Sequence, residues 1–376
     1  MKLLIPQEKI KKGLAVVERV ASKSLTLPIL NNVLISTEKN LLNIAATDLE
    51  VGIKWWGLAK AEKQGKITVP SHILSSFIGL LPNKKISLEE KGNVLSVGCD
   101  ERKTQIKGLP ADDFPIIPTV EEGESVSLDV PSFCNSLSQV ADIVSYSTSR
   151  PEISGVFLNF QKDLLTIAAT DSFRLAEKKL PLKKKESLKK EYSLIIPQKT
   201  AKEIINVFGE TDKTIKVYFS PNQIMFESQM EDTKHPRVQL VSRLVEGEYP
   251  SYQEIIPESY KTQAVLDKTE LLNQIKGASL FSGKTNEISL KTDPKKEKIK
   301  IVSQSSEIGE YSSEIKGEIK GKAVDAAFNH KFLTDGLANI KSSEVIFEFN
   351  EESGPGVVKP VGDNTYLYVV MPIKAS

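Results

Sequence analysis

The chain of 376 residues has only two cysteines, Cys99 and Cys134. That is too few for a disulfide framework or a thiolate metal cage, and it points to a reducing, cytoplasmic setting. Histidine is nearly as scarce: His72, His235 and His330 lie far apart, none with a carboxylate or cysteine at ligand spacing. Each reads as a surface or helix-start residue, so no metal is expected. No run approaches 18 apolar residues, and the opening MKLLIPQEKIKKGL lacks the apolar stretch of a signal peptide. Neither a membrane span nor export is expected. GxxxxGK[ST], GxGxxG behind a strand, HExxH and GxSxG are all missing, which removes the usual phosphate loops, zinc proteases and serine nucleophiles. A non-catalytic binding protein or scaffold without cofactors is what remains. An excess of one charge is missing too, since 50 Lys and Arg face 49 Asp and Glu for a net +1. That sum argues against a histone-like binder but says nothing of where the charges sit.

What the sequence does contain is a repeat. PILNNVLISTEKNLLNIAATD (28–48) aligns without a gap with PEISGVFLNFQKDLLTIAATD (151–171), ending in both cases on Ile-Ala-Ala-Thr-Asp. Upstream, 3–17 matches 127–141, and downstream 67–81 matches 194–208, each a short apolar strand, a proline and a helix. Proline is tolerated in a first helical turn because its missing N–H has no intrahelical partner there. A more diverged third copy supplies strand and helix at 263–279 and again at 323–340. Pro-bearing connectors, DDFPIIP (112–118) and GEYPSYQEIIP (247–257), close the first two copies. Length alone allows two or three domains. The repeats predict three, 1–120, 121–258 and 259–376, each built from two strand–helix–strands halves. Segments such as IKVYFS (215–220) and VIFEFN (345–350) read as strands, and helices on one side of antiparallel sheets make the class α+β.

The first predicted helix, 7–22, gathers Ile10, Leu14, Val17 and Ala21 on one face and Lys9, Lys12, Arg19 and Lys23 on the other. In the second copy Lys199 and Lys202 oppose Ile204, Val207 and Phe208, whereas the helices at 72–81 and 132–144 carry no basic residue. Such stripes read either as solvated helix faces or as surfaces for phosphate without base readout. Charge is distributed unevenly: +5 over 1–120, −4 over 121–258 and 0 over 259–376. The repeated pairs Thr47-Asp48 and Thr170-Asp171 read as turn formers whose Asp bonds its own backbone. The lysine runs 183–190 and 293–300 read as hairpin or loop charge.

Four segments carry a family resemblance: LTLPILNNVLI (25–35), SRPEISGVFLNF (149–160) with AATDSFRLA (168–176), RLVEGEYPSYQEIIP (243–257) and YLYVVMPIKAS (366–376). In this order they resemble the beta subunit of bacterial DNA polymerase III, the sliding clamp family. The resemblance implies three domains of the clamp fold in a head-to-tail, ring-shaped homodimer, with helices lining a central hole and sheets outside. It implies a non-catalytic processivity factor that encircles double-stranded DNA without sequence preference and tethers the polymerase. The alternative is a repeat-built peptide-binding scaffold that does not encircle DNA.

Partners implied are DNA, a second copy, and, through short QLxLF-like motifs, the polymerase III catalytic subunit, the clamp loader, other polymerases and repair proteins. Carried over residue by residue, the partner-peptide pocket falls on Ile153, Thr170, Ser172, Phe173, Arg174, Leu175, Pro250, Ile255, Val369, Val370, Met371, Pro372 and Ile373. The DNA-facing set is Lys9, Lys12, Arg19, Lys23, Arg150, Lys199 and Lys202. Ser172 and Phe173 stand where the family usually has Gly and His or Tyr, Glu254 replaces a residue that is often basic, and the tail ends slightly longer than usual. The first copy continues AATD with LEVGI instead of SFRLA, so no second pocket is expected there.

Overall fold

A computed structural model describes residues 1–21, 26–120, 124–147, 149–182, 188, 190–209, 213–231, 233–350 and 353–373. Six helices occur among them: α1 (Gln7–Val17), α2 (Ser71–Leu80), α3 (Val130–Val140), α4 (Gln198–Phe208), α5 (Lys268–Ser279) and α6 (His330–Ala338). All strand pairings are antiparallel. The strand–proline–helix pattern holds, with Pro6 and Pro70 at the N-cap positions of α1 and α2. No helix among the described residues is long and apolar enough to cross a membrane.

The chain forms two compact units, Met1–Cys134 with Lys199–Leu244, and Asn135–Gln198 with Val245–Ser376. Each contains a long sheet made by two neighbouring repeats. In the first unit, eight strands run in the order Ser125–Asp129, Thr214–Phe219, Gln223–Gln229, Pro236–Arg243, Val51–Leu58, Leu41–Thr47, Asn32–Glu38, Lys66–Pro70. The seam is the pairing of Val51–Leu58 with Pro236–Arg243. In the second unit a nine-stranded sheet has the corresponding seam between Arg174–Pro181 and Tyr366–Val370. A five-stranded sheet ends on Arg102–Lys107 in the first unit, and a four-stranded sheet ends on Gly309–Lys316 in the second.

Core packing follows the sequence pattern. Ile10, Leu14 and Val17 of α1 are buried. That helix stops at Val17, five residues short of the predicted 22; the next bonds, Val20 N–H to Val17 O and Ala21 N–H to Glu18 O, are three-residue turns that bury Val20. α3 likewise ends at Val140 instead of 144. Connectors dock by equivalent residues. Ile117 packs with Ala45 and Val241, and Tyr252 with Ala168 and Val369. Gly52 is required for the first contact, because a Cβ there would lie 2.6 Å from Ile117 Cγ2. The run 293–300 spans a hairpin turn at 294–297 between the strands Glu287–Asp293 and Lys298–Ser305, with Asp293 Oδ1 accepting the Lys295 and Lys296 amides. Most of 183–190 falls outside the described residues.

Candidate functional site

Both Thr-Asp pairs form the same turn. Asp171 Oδ1 accepts the amides of Phe173 and Arg174, each at 3.0 Å, and Thr170 Oγ1 accepts the Ser172 amide at 3.1 Å while donating to Arg174 O. In the first copy Asp48 Oδ1 accepts the amides of Glu50 and Val51, and Thr47 Oγ1 accepts the Leu49 amide while donating to Val51 O. These carboxylates are consumed by their own backbone, as the turn-forming reading expects. The third residue of each turn is left-handed, with φ 77° at Ser172 and 78° at Leu49. A short polar Ser bears this better than a Leu.

What the second turn displays differs. Phe173 is 62% exposed and stacks on Phe332 of α6, ring centroids 6.3 Å apart. Arg174 donates to Asp171 Oδ2 at 2.8 Å and to Asp335 Oδ2 at 2.5 Å, and its guanidinium lies 4.6 Å from the Phe332 ring centroid. Burial works against its charge, but Tyr368, Asp335 and Asp171 outweigh that and hold it above the usual arginine range. The guanidinium is thus a fixed, always charged fork. The C-terminal strand completes this edge: Leu175 pairs with Val369, Arg174 with Val370, and the Met371 amide donates to Phe173 O at 2.8 Å. The Ile373 amide donates to Ala327 O, which anchors the tail through Pro372.

Beneath lie aromatic rings of the connector. Tyr249 stacks on Phe157 at 4.7 Å, and Tyr252, buried, donates to Glu177 Oε2 at 2.6 Å. Burial and Glu177 push the Tyr252 phenol far above its ordinary pKa, so it remains a donor. Pro250 follows Tyr249, and Ile255 closes the turn Tyr252–Ile255 with 46% of its surface exposed. Ile153 is buried in the turn Pro151–Ile153. Of the expected pocket residues, Thr170, Leu175, Val369 and Val370 form a buried floor, with Ser172, Phe173 and Ile255 exposed and Arg174, Pro250, Met371, Pro372 and Ile373 between. Sequence reading missed Phe332 and Asp335. Their signal was present in HKFLTDGLA, where an aromatic and an acid three apart share one helix face.

The basic residues fall differently. Lys9, Lys12 and Arg19 are exposed, but Lys12 pairs with Glu8 at 2.9 Å and Arg19 with Glu203 at 3.0 Å. Lys199 pairs with Asp48, and Lys202 is exposed on α4. Arg150 stands apart from these: it bonds Glu152 at 3.1 Å and Ser172 Oγ at 3.1 Å, which brings it to the pocket turn. Lys23 lies outside the described residues. Among the described residues no group of His, Cys, Asp and Glu is arranged to hold a metal.

The family models that match are those of the DNA polymerase III beta subunit, its N-terminal domain over 1–118, central domain over 127–251 and C-terminal domain over 253–374. The "Beta sliding clamp" of Synechococcus elongatus is 27% identical over 100% of this chain and 99% of its own, and that of Staphylococcus aureus Mu50 is 29% identical over 95% and 94%. Among solved structures, the Bacillus subtilis sliding clamp superposes with TM-score 0.93 at 25% identity, covering 100% of both chains. A Pseudomonas aeruginosa sliding clamp bound to griselimycin gives 0.91 at 26%, again over 100% of both. With its three domain models matched in order along the whole length, the chain belongs to the DNA polymerase III beta subunit family, the bacterial sliding clamps.

Proposed function

We propose that this protein is a sliding clamp that closes around duplex DNA as a head-to-tail dimer and tethers a polymerase by a peptide held at the Thr170–Arg174 turn. The observation that carries this reading is likeness along the entire chain, with three domain models in order and a TM-score of 0.93 over 100% of both chains. Domain boundaries near 120 and 258 follow from the repeats. The protein does no chemistry; closure prevents escape, and the tether raises the local concentration of the polymerase at its primer end. Its relatives are bacterial, and a replication factor works where the chromosome is, in the cytoplasm on the nucleoid.

Closure needs two complementary ends. Arg102–Lys107 and Gly309–Lys316 are both edge strands, each with one side unpaired within its sheet. An exposed edge invites a further strand unless it is covered. The first carries Arg102, Lys103 and Lys107; the second carries Glu310, Glu314, which pairs with Lys298 at 2.7 Å, and Lys316, so its unpaired acid is Glu310. Exposed apolar residues accompany each: Leu80, whose carbonyl accepts from Arg102, and Leu280 with Ile308. Opposite charges on two different surfaces favour a heterologous contact, which closes after two copies if the rotation allows it. Glu replacing both Lys103 and Lys107 should convert dimer to monomer in sedimentation at micromolar protein. A dimer unaffected by this reversal would refute the edge pairing.

Lys9, Lys12, Arg19, Lys199 and Lys202 suit a phosphate-facing surface, and Lys23 and Arg150 complete the set carried over. Ion pairs as exposed as Lys12–Glu8 are weak because water and salt screen them, so a phosphate can displace the carboxylate. Contacts of this kind are loose and sequence-blind, as sliding requires. At the peptide site, the apolar floor under Phe173 and Met371 suits Leu and Phe anchors, while Arg174 orients the peptide backbone.

A further inference from the structure

Beside the Thr47–Val51 turn lies a cavity of about 90 Å³, lined by Leu49, Ile116, Ile117 and Val241 with Glu50 and Arg243. Its position is equivalent to that of the pocket turn. Gly52 pairs with Val241 as Leu175 pairs with Val369, and the Arg243 amide donates to Glu50 O as the Met371 amide donates to Phe173 O. Arg243 therefore occupies the place of Met371, and Glu50 that of Phe173. Ile117 fills much of the space, which leaves room for one branched side chain. The rim is unusual for a surface that binds nothing. Leu49 is left-handed yet 44% exposed, Ile116 is 93% exposed, and neither Glu50 nor Arg243 makes a side-chain hydrogen bond or ion pair with a described residue.

We propose that this cavity is a second docking site, one that takes the C-terminal residue of a partner protein when that residue is aliphatic. The side chain enters between Leu49, Ile116 and Val241, and the terminal carboxylate meets the unpaired Arg243 fork. Glu50 disfavours an acidic residue just upstream, so the preferred end is a neutral or basic residue followed by Leu or Ile. The site is distinct from the Thr170–Arg174 pocket in needing a free carboxylate and a single anchor. It rests on the peptide reading of that pocket only for the shared turn framework.

The test uses the full chain and a labelled Gly-Ser-Gly-Ser-Leu peptide as free acid and as C-terminal amide, read by fluorescence anisotropy, beside a QLxLF peptide. The free acid should bind, and amidation or Arg243→Gln should each weaken it by about tenfold. Arg243→Lys should restore part of the loss, and Glu50→Gln should tighten binding by about twofold. The QLxLF peptide should bind Arg243→Gln unchanged, which reports an intact fold. Equal binding of acid and amide, indifference to Arg243→Gln, or no binding at millimolar peptide would each overturn the second site. If the QLxLF peptide still binds in those cases, the main pocket reading stands. Failure of the QLxLF peptide on the unaltered chain would count against that reading instead.

Discussion

The turns at Thr47–Val51 and Thr170–Arg174 share every backbone hydrogen bond and differ in what they hold out to solvent. In both, Asp Oδ1 and Thr Oγ1 satisfy the same amides. The spare Asp oxygen is used differently: Asp48 Oδ2 holds Lys199 of α4, whereas Asp171 Oδ2 holds Arg174 of its own turn. Position five is Val51 in one and Arg174 in the other, and position six is Gly52 or Leu175. Gly52 admits Ile117 against the first turn, whereas Leu175 packs with Tyr252 beside the second; both strands pair alike with a strand of the next repeat. A duplicated framework thus presents two different sets of side chains, with a cavity of about 90 Å³ beside the first turn. Framework and function are separable here.

Removing Met371–Ser376 should break this comparison most severely. The Met371 amide bond to Phe173 O and the apolar wall would go, and QLxLF-peptide affinity should fall by about a hundredfold or more in isothermal titration, with the dimer intact. Undiminished affinity would remove the tail from the site. Next in size is Arg174→Ala, which leaves Asp171 and Asp335 without their cation. Peptide affinity should drop about tenfold and stability by about 3 kcal/mol in denaturant unfolding, whereas Val51→Ala, its counterpart, should cost about 2 kcal/mol and leave peptide binding alone. Gly52→Leu imports the second turn's residue into the first; since even a Cβ there would lie 2.6 Å from Ile117 Cγ2, overpacking should cost about 1–3 kcal/mol. No change in its unfolding midpoint would mean the connector yields freely. Smallest should be Asp48→Ala, which loses two amide bonds and frees Lys199. About 1 kcal/mol of stability should go, and duplex binding at low salt should rise slightly as a lysine loses its carboxylate.

The framework was legible because it is local. An eight-residue strand repeat, proline at the start of α1 to α4 and a Thr-Asp turn are all set by neighbours in the chain, and each appears where the sequence puts it. Helix ends were less legible: α1 stops at Val17 because Val20 is drawn into the core through three-residue turns, a tertiary effect that periodicity does not carry. Apolar members of the proposed pocket were assigned through a family pattern and not through chemistry, since Leu175 or Val369 alone reads as core. Phe332 and Asp335 escaped because they come from α6, more than 150 residues away from Arg174, and only the fold brings them to its guanidinium. Arg150, assigned to the DNA-facing set by resemblance, bonds Ser172 of the Thr170–Arg174 turn, a contact that sequence alone does not show. Distance in sequence, more than subtlety of chemistry, separates what was read from what was missed.

Closure around DNA is tested most directly by one measurement. The protein, placed by a clamp loader on nicked circular plasmid, is followed by gel filtration before and after a single restriction cut. It should co-elute with the circle through physiological salt and leave once the plasmid is linear. Equal retention on circular and linear DNA, or on neither, would contradict a topological clamp.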